Sequence, residues 1–308
     1  MARIAIAIIG AGKIACDQHV PALVASPDFA LAATVGPAAP DLPQSPHFAD
    51  LEALLTAGPP VEAVAICTPP QVRHALAQAA LARGLHVLLE KPPGATLSEV
   101  VALHQAAARA GVTLYASWHS RFAAGVALAR EWLAQKRIER VSIVWREDVR
   151  VWHPGQTWIW QAGGLGVFDP GINALSIVTE ILPDTLILES AVLHVPANCS
   201  APVAAQIAMR LGNGAPVSAD FDFLQTGPQS WDIAVETDAG LLKLGMGGAV
   251  LTLPDGEQVS QDAEYPALYA HFADLLRRGA SDVDLRPLAL VADAFLVGQQ
   301  KKAAPFIE

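Results

Sequence analysis

The period of apolar and polar positions along this chain changes once, near residue 140. Over the first 120 residues, short runs of Ile, Val, Leu and Ala alternate with stretches in which apolar residues recur every three or four positions. That alternation is the pattern of repeated βα units building a parallel sheet covered on both faces. It predicts strands over residues 4–9, 31–35, 64–68, 86–90 and 113–118, and helices over 50–57, 71–83 and 96–110. The last helix opens on Thr96 and Glu99 in capping-box spacing. Beyond Arg140 the pattern becomes period-two, in "VSIVWREDV", "VAAQIAMRL", "PVSADFDF", "WDIAVET" and "GLLKLGM", separated by Gly, Pro and Asn turns. These segments predict a largely antiparallel open sheet with helices over 170–181, 265–278 and 287–299. The fold class is therefore α/β, a doubly wound parallel sheet over residues 1–120 followed by an α+β substrate domain over 121–308. The ligand crevice is expected between the second domain and the carboxyl ends of the first sheet.

Composition narrows the function. At 308 residues with half the chain apolar, a large core can be buried. A net charge of −10 lacks the basic stripe that phosphate neutralisation needs, so no nucleic acid partner is expected on charge grounds and a small molecule is expected instead. Cys16, Cys67 and Cys199 are odd in number and widely spaced, which points to reduced thiols. No apolar stretch is long enough to span a membrane, and Arg3 leads directly into a strand without a signal-peptide pattern. A cytoplasmic protein is expected. None of the nine histidines forms a close ligand pair, so no metal is expected.

The stretch "IAIAIIGAGKIACDQHVPAL" runs from a strand through a glycine turn into a helix. Gly10 allows the tight turn, Gly12 lets the backbone approach a pyrophosphate, and Ala15 is the small residue that helix–strand packing needs. With Lys13 and Ile14 they form a candidate dinucleotide clamp at a helix start. The second strand ends on Gly36-Pro37, with no Asp or Glu for the ribose hydroxyls and no Arg or Lys for a 2′-phosphate. Either NADP or NAD is expected as cofactor; in the alternative reading, Asp41 or a backbone group meets the ribose.

Two further strand tips are candidates. Cys67, Thr68, Pro69 and Pro70 form a rigid loop suited to stacking on nicotinamide or ribose, or an ordinary turn before the next helix. Glu90 and Lys91 end the fourth strand. A lysine at such a tip points into the crevice, where desolvation favours the neutral amine that can accept a proton.

Strand-GAGKIA, "AICTPP", "EKPP" and "GGLGVFDPGINAL", in this order, resemble the glucose–fructose oxidoreductase/inositol dehydrogenase (Gfo/Idh/MocA) family over essentially the whole chain. More narrowly, "WHSRFA", "WREDVRVWHPGQTWIW" and "FDPGINALSIVT" resemble bacterial aldose 1-dehydrogenases acting on D-galactose and L-arabinose. The resemblance implies a Rossmann domain, a C-terminal open sheet, a nicotinamide cofactor, a catalytic Lys91, and oxidation of a C1 hemiacetal to an aldonolactone. A homo-oligomer, if one forms, would use the C-terminal sheet. Where the broad family has Asp followed four residues later by His, this chain has Asp169 and Asn173. The spacing puts both on one helix face, but an amide cannot take a proton, so acid–base duty falls more heavily on Lys91. Asp169 before Pro170 also reads as a helix N-cap.

His119, Glu147, Trp152 and His153 offer carboxylate and imidazole partners for sugar hydroxyls and an aromatic face for its C–H patch, with Trp158 and Trp160 as further aromatics. Core packing is the competing role for each aromatic. Asp169, Asn173 and Lys91 complete the expected substrate set, with Lys91 and Asn173 as the catalytic pair. The rival functions are a nicotinamide-binding regulator without chemistry, and a dehydrogenase of another polyol such as an inositol or a dihydrodiol.

Overall fold

Ile6, Ala7, Ile8 and Ile9 are buried whichever way their side chains point, which makes β1 (Ile4–Ile9) a central strand with cover on both faces. Around it the computed structural model, which describes residues 2–40, 45–259 and 263–308, builds a six-stranded parallel sheet. Its further strands are β2 (Phe29–Val35), β3 (His47–Phe48), β4 (Ala63–Ile66), β5 (His86–Leu89) and β6 (Leu114–Ala116), in the order β3-β2-β1-β4-β5-β6. The connecting helices are α1 (Val20–Ala25), α2 (Leu51–Ala57), α3 (Pro70–Ala82) and α4 (Leu97–Ala110). This is the doubly wound dinucleotide-binding order. Asp50 caps α2 through the Ala53 amide, and Thr96 and Glu99 close the expected capping box on α4. Strands four and five stop earlier than expected, at Ile66 and Leu89, because the chain turns out of the ladder into Thr68-Pro69 and Lys91-Pro92, and proline offers no ladder donor.

The compact unit holding this sheet comprises the chain up to Trp118 together with Tyr265–Leu285. The other comprises His119–Glu264 and Arg286–Glu308. In chain order its elements are α5 (Val126–Leu133), β7 (Ile138–Arg146), α6 (Val149–Trp152), α7 (Phe168–Ile181), β8 (Leu186–Pro196), β9 (Ala204–Leu211), β10 (Pro216–Asp222), β11 (Ser230–Thr237), β12 (Gly240–Gly245), β13 (Val250–Leu253) and β14 (Gly256–Val259). The helix α8 (Glu264–Arg278) leads back into the first unit; α9 (Arg286–Val297) and β15 (Gln299–Ala303) complete the second. Its nine strands run β14-β13-β12-β11-β7-β10-β9-β8-β15, antiparallel except for the pairs β7/β10 and β8/β15. The core helix α7 lies close on this sheet because Gly171 has no side chain: a Cβ there would meet the Phe221 ring at 2.8 Å. No helix among the described residues is long and apolar enough to cross a membrane.

Candidate active site

Because β2, β1, β4 and β5 are parallel neighbours, the residues following them stand in one row at the carboxyl edge of the sheet. The row reads Gly36-Pro37, Gly10 to Ile14, Cys67 to Pro70, and Glu90-Lys91. Main-chain bonds hold it in register: the Gly10 amide donates to Val35 O (2.8 Å), that of Cys67 to Ile9 O (2.8 Å), and that of Glu90 to Ile66 O (3.1 Å). Gly10 adopts φ +90°, and a Cβ on it would lie 2.7 Å from Thr68 Cγ2 and 2.8 Å from the Thr68 amide nitrogen. Only glycine fits there. At Gly12, by contrast, an added Cβ meets nothing within 4 Å, so the backbone is open on that side. An open glycine at a helix start fits a dinucleotide pyrophosphate. Lys13 and Ile14 follow it on the surface, Lys13 paired with Asp17 one turn on. At the β2 tip the Gly36 amide donates to Phe48 O (2.9 Å) and the Gly36 carbonyl lies 2.9 Å from His47 Nε2. Asp41 lies outside the described residues.

Beneath this row is a buried polar network that the sequence did not reveal. A π-turn, Ala15–His19, follows the glycine loop and turns His19 fully inward. His19 Nε2 lies 3.5 Å from Glu90 Oε1, an ion-pair distance, and its Nδ1 lies 2.7 Å from the Tyr269 hydroxyl. Tyr265 donates its hydroxyl to the same Glu90 oxygen at 2.7 Å. Burial alone would push His19 down, but Cys67 and Glu90 outweigh it and hold the imidazole up to about 9. Burial, with Cys67 and Glu90 beside it, pushes the Tyr269 phenol well above its ordinary value.

The sign of the resulting pH dependence follows from linkage. His19 binds its proton more tightly folded than unfolded, so its contribution is complete below about 6.5 and lost as pH rises through about 9. Urea unfolding is expected to show a loss on the order of 3 kcal/mol between pH 6 and pH 10 that His19→Gln largely abolishes. An equal pH slope in wild type and variant would contradict the assignment.

In the second unit the expected substrate residues come from three elements. Glu147 follows β7, His153 follows α6, and Asp169 lies in the first turn of α7. His153 Nε2 is 3.7 Å from both Glu147 Oε1 and Asp169 Oδ2, and both carboxylates are almost wholly buried. The N-cap reading of Asp169 is corrected: Val167 is the N-cap, and the Asp169 side chain faces His153. Asn173 lies one turn on and is half-buried. Trp152 is 39% exposed and tilts on Trp231 at 5.0 Å between ring centroids. Trp160 packs on Phe223 and Phe306. His119 Nδ1 lies 2.5 Å from Glu264 Oε2.

Trp231 and Glu264 were not legible as site residues. The Trp231 indole donates to Glu147 Oε2 at 2.8 Å from 84 residues away, and Glu264 meets His119 across 145. No local spacing encodes such pairs. Among the described residues no group of His, Cys, Asp and Glu could hold a metal ion, and the three cysteines are free thiols.

Residues 4–117 match the model of the Gfo/Idh/MocA oxidoreductase family with an NAD-binding Rossmann fold. The whole chain is 47% identical to the full length of a galactose 1-dehydrogenase from Pseudomonas fluorescens. It superposes on a D-galactose-1-dehydrogenase from Rhizobium etli with a TM-score of 0.94 at 50% identity, covering 100% of this chain and 99% of that one. The fold extends to a 3-ketoreductase from Actinomadura kijaniata solved with NADP, at 16% identity and a TM-score of 0.83, covering 98% of this chain and 100% of that one. With the glycine turn, the Glu-Lys-Pro tip and a full-length relative in agreement, the chain belongs to the Gfo/Idh/MocA family of oxidoreductases, whose cofactor is a nicotinamide dinucleotide.

Proposed function

We propose that this protein is an aldose 1-dehydrogenase that oxidises the C1 hemiacetal of D-galactose and L-arabinose to the aldonolactone, with NADP or NAD as hydride acceptor. The observation that carries the reading is the trio of a half-buried His153 with the buried Glu147 and Asp169. Two carboxylates and an imidazole at 3.7 Å spacings form an acceptor-rich wall suited to adjacent ring hydroxyls. The full-length likeness to galactose 1-dehydrogenases supports the same substrate class.

The bound nicotinamide supplies an acceptor for the hydride that leaves C1. Lys91 takes the proton from the C1 hydroxyl as the C=O bond of the lactone forms. Asn173 holds O1, Asp169 and Glu147 fix ring hydroxyls, His119 and His153 extend that polar wall, and Trp152 covers the C–H patch of the ring. Gly10, Gly12, Lys13 and Ile14 hold the pyrophosphate end of the cofactor, while Gly36-Pro37 and Cys67 to Pro70 line its ribose and nicotinamide. A cytoplasmic location, and any self-association through the nine-stranded sheet, belong to the same reading.

A panel of galactose, arabinose and glucose with each cofactor tests the proposal, reading reduced-nicotinamide absorbance. Galactose and arabinose share their ring hydroxyls and differ at C6, so both are expected to turn over. Glucose inverts C4 and leaves a polar group of the pocket unpaired, at about 1–3 kcal/mol, so its kcat/KM is expected to be about 10–100-fold lower. The Gly36-Pro37 tip carries neither carboxylate nor guanidinium, so the two cofactors are expected to differ by less than about a thousandfold. Glucose equal to galactose would overturn the hydroxyl-reading assignment; no turnover with any of the sugars would overturn the proposal itself.

A further inference from the structure

The two loops that carry the proposed base and line the nicotinamide share an unusual chemistry. Thr68-Pro69-Pro70 and Lys91-Pro92-Pro93 together contain four prolines, so both keep every carbonyl but are poor in amide donors. Carbonyls buried at such tips need partners from elsewhere. One side chain supplies them. Arg73 donates through Nη1 to the carbonyls of Glu90 and Pro92, on either side of Lys91, and through Nη2 to the carbonyl of Thr68.

Nothing about helix energetics favours an arginine at this position. Arg73 lies in the first turn of α3, where the helix dipole disfavours a cation, and it is only 2% exposed, so its charge is desolvated. The fork geometry of guanidinium is what the position uses: several donors in one rigid plane reach two loops at once, which a lysine ammonium with its compact charge does less well.

We propose that Arg73 is a positioning residue for Lys91, fixing the main chain on both sides of it and tying that turn to the Thr68 loop. The proposal rests on the reading of Lys91 as the proton acceptor. It makes the reach of the lysine amine a property of a residue 18 positions earlier in the chain. Displacement of a reacting group by about 1 Å can cost about a hundredfold in rate.

The test is a double-mutant cycle on the full chain with Arg73→Met, Arg73→Lys, Lys91→Ala and the Arg73→Met/Lys91→Ala pair, measuring kcat, KM for galactose, and NADPH binding by fluorescence. Arg73→Met is expected to lower kcat about a hundredfold with KM for galactose within about threefold, and Arg73→Lys to recover about tenfold of that loss. In the Lys91→Ala background the same Arg73→Met change is expected to cost no more than about threefold, because the group it positions is gone. Equal losses in both backgrounds, or a wild-type kcat in Arg73→Met, would overturn the proposal. If Arg73→Met does not fold, Arg73→Lys decides alone: about a tenfold lower kcat at an unchanged melting temperature supports the role, and a wild-type kcat refutes it. Near-normal activity of Lys91→Ala alone identifies failure of the base assignment itself, and removes the proposal with it.

Discussion

Lys91→Ala is expected to lower kcat for galactose by about 10²–10⁴, the range that a positioned general base contributes, while NADPH binding stays within about threefold. The two outcomes separate because they depend on different parts of one sheet edge. The proposed cofactor clamp is main-chain geometry at the β1 tip, where a Cβ on Gly10 would meet Thr68 and Gly12 is open. Lys91 stands two strands away, after β5, half-buried, in a turn whose carbonyls are held by Arg73. Removing the amine takes away the proposed proton acceptor and leaves the amides of the glycine turn in place. Asn173→Ala is the comparison: it removes the proposed hydrogen bond to O1 but no base, so a loss near tenfold is expected, in line with about 1 kcal/mol for one hydrogen bond. A Lys91→Ala enzyme with near-normal kcat at neutral pH would transfer the role of proton acceptor to Asp169.

How far this site could be read from the chain depends on the sequence distance over which each contact is made. The tips of β1, β4 and β5 were legible because each is a strand end followed within a few residues by Gly or Pro, and parallel order then puts them side by side. The His19 contacts were not: Tyr269 is 250 residues away, and the π-turn that aims the ring inward has no local signature in Ala-Cys-Asp-Gln-His. Arg73 did leave a trace, a cation in the first turn of a helix, contrary to the dipole. In the second unit, β9 to β12 showed the two-residue period of a sheet with one covered face. The strand β15 did not, since Gln299 to Lys302 are all exposed and its pairing with β8 is carried by main chain. The helix expected over 287–299 ends at Val297 for a related reason: Gly298 stops it, and Gln299 already belongs to that strand.

Glu147→Ala is expected to act on the other half of the reaction, raising KM for galactose and lowering kcat/KM by about a hundredfold or more, with cofactor binding unchanged. The carboxylate is nearly inaccessible and fully engaged. One oxygen accepts the Trp231 indole N–H at 2.8 Å, and the other faces His153 Nε2 at 3.7 Å, which in turn faces Asp169 at the same distance. Truncation leaves a half-buried indole donor without this acceptor and takes one of the two facing carboxylates from His153. Losing one member of a buried, charge-assisted set costs about 3 kcal/mol, which corresponds to roughly 150-fold. Because Trp231 also supports Trp152 at 5.0 Å, the aromatic face is loosened along with the polar wall. Glu147→Gln separates the charge from the hydrogen bond: its amide oxygen can still accept from Trp231, so the ring platform stays and only the attraction to His153 and a sugar hydroxyl weakens, for a loss nearer tenfold. Kinetics on the folded fraction, with NADPH titration alongside, decide the matter. Galactose kcat/KM within a few-fold of wild type in Glu147→Ala would place the sugar away from the Glu147, His153 and Asp169 trio.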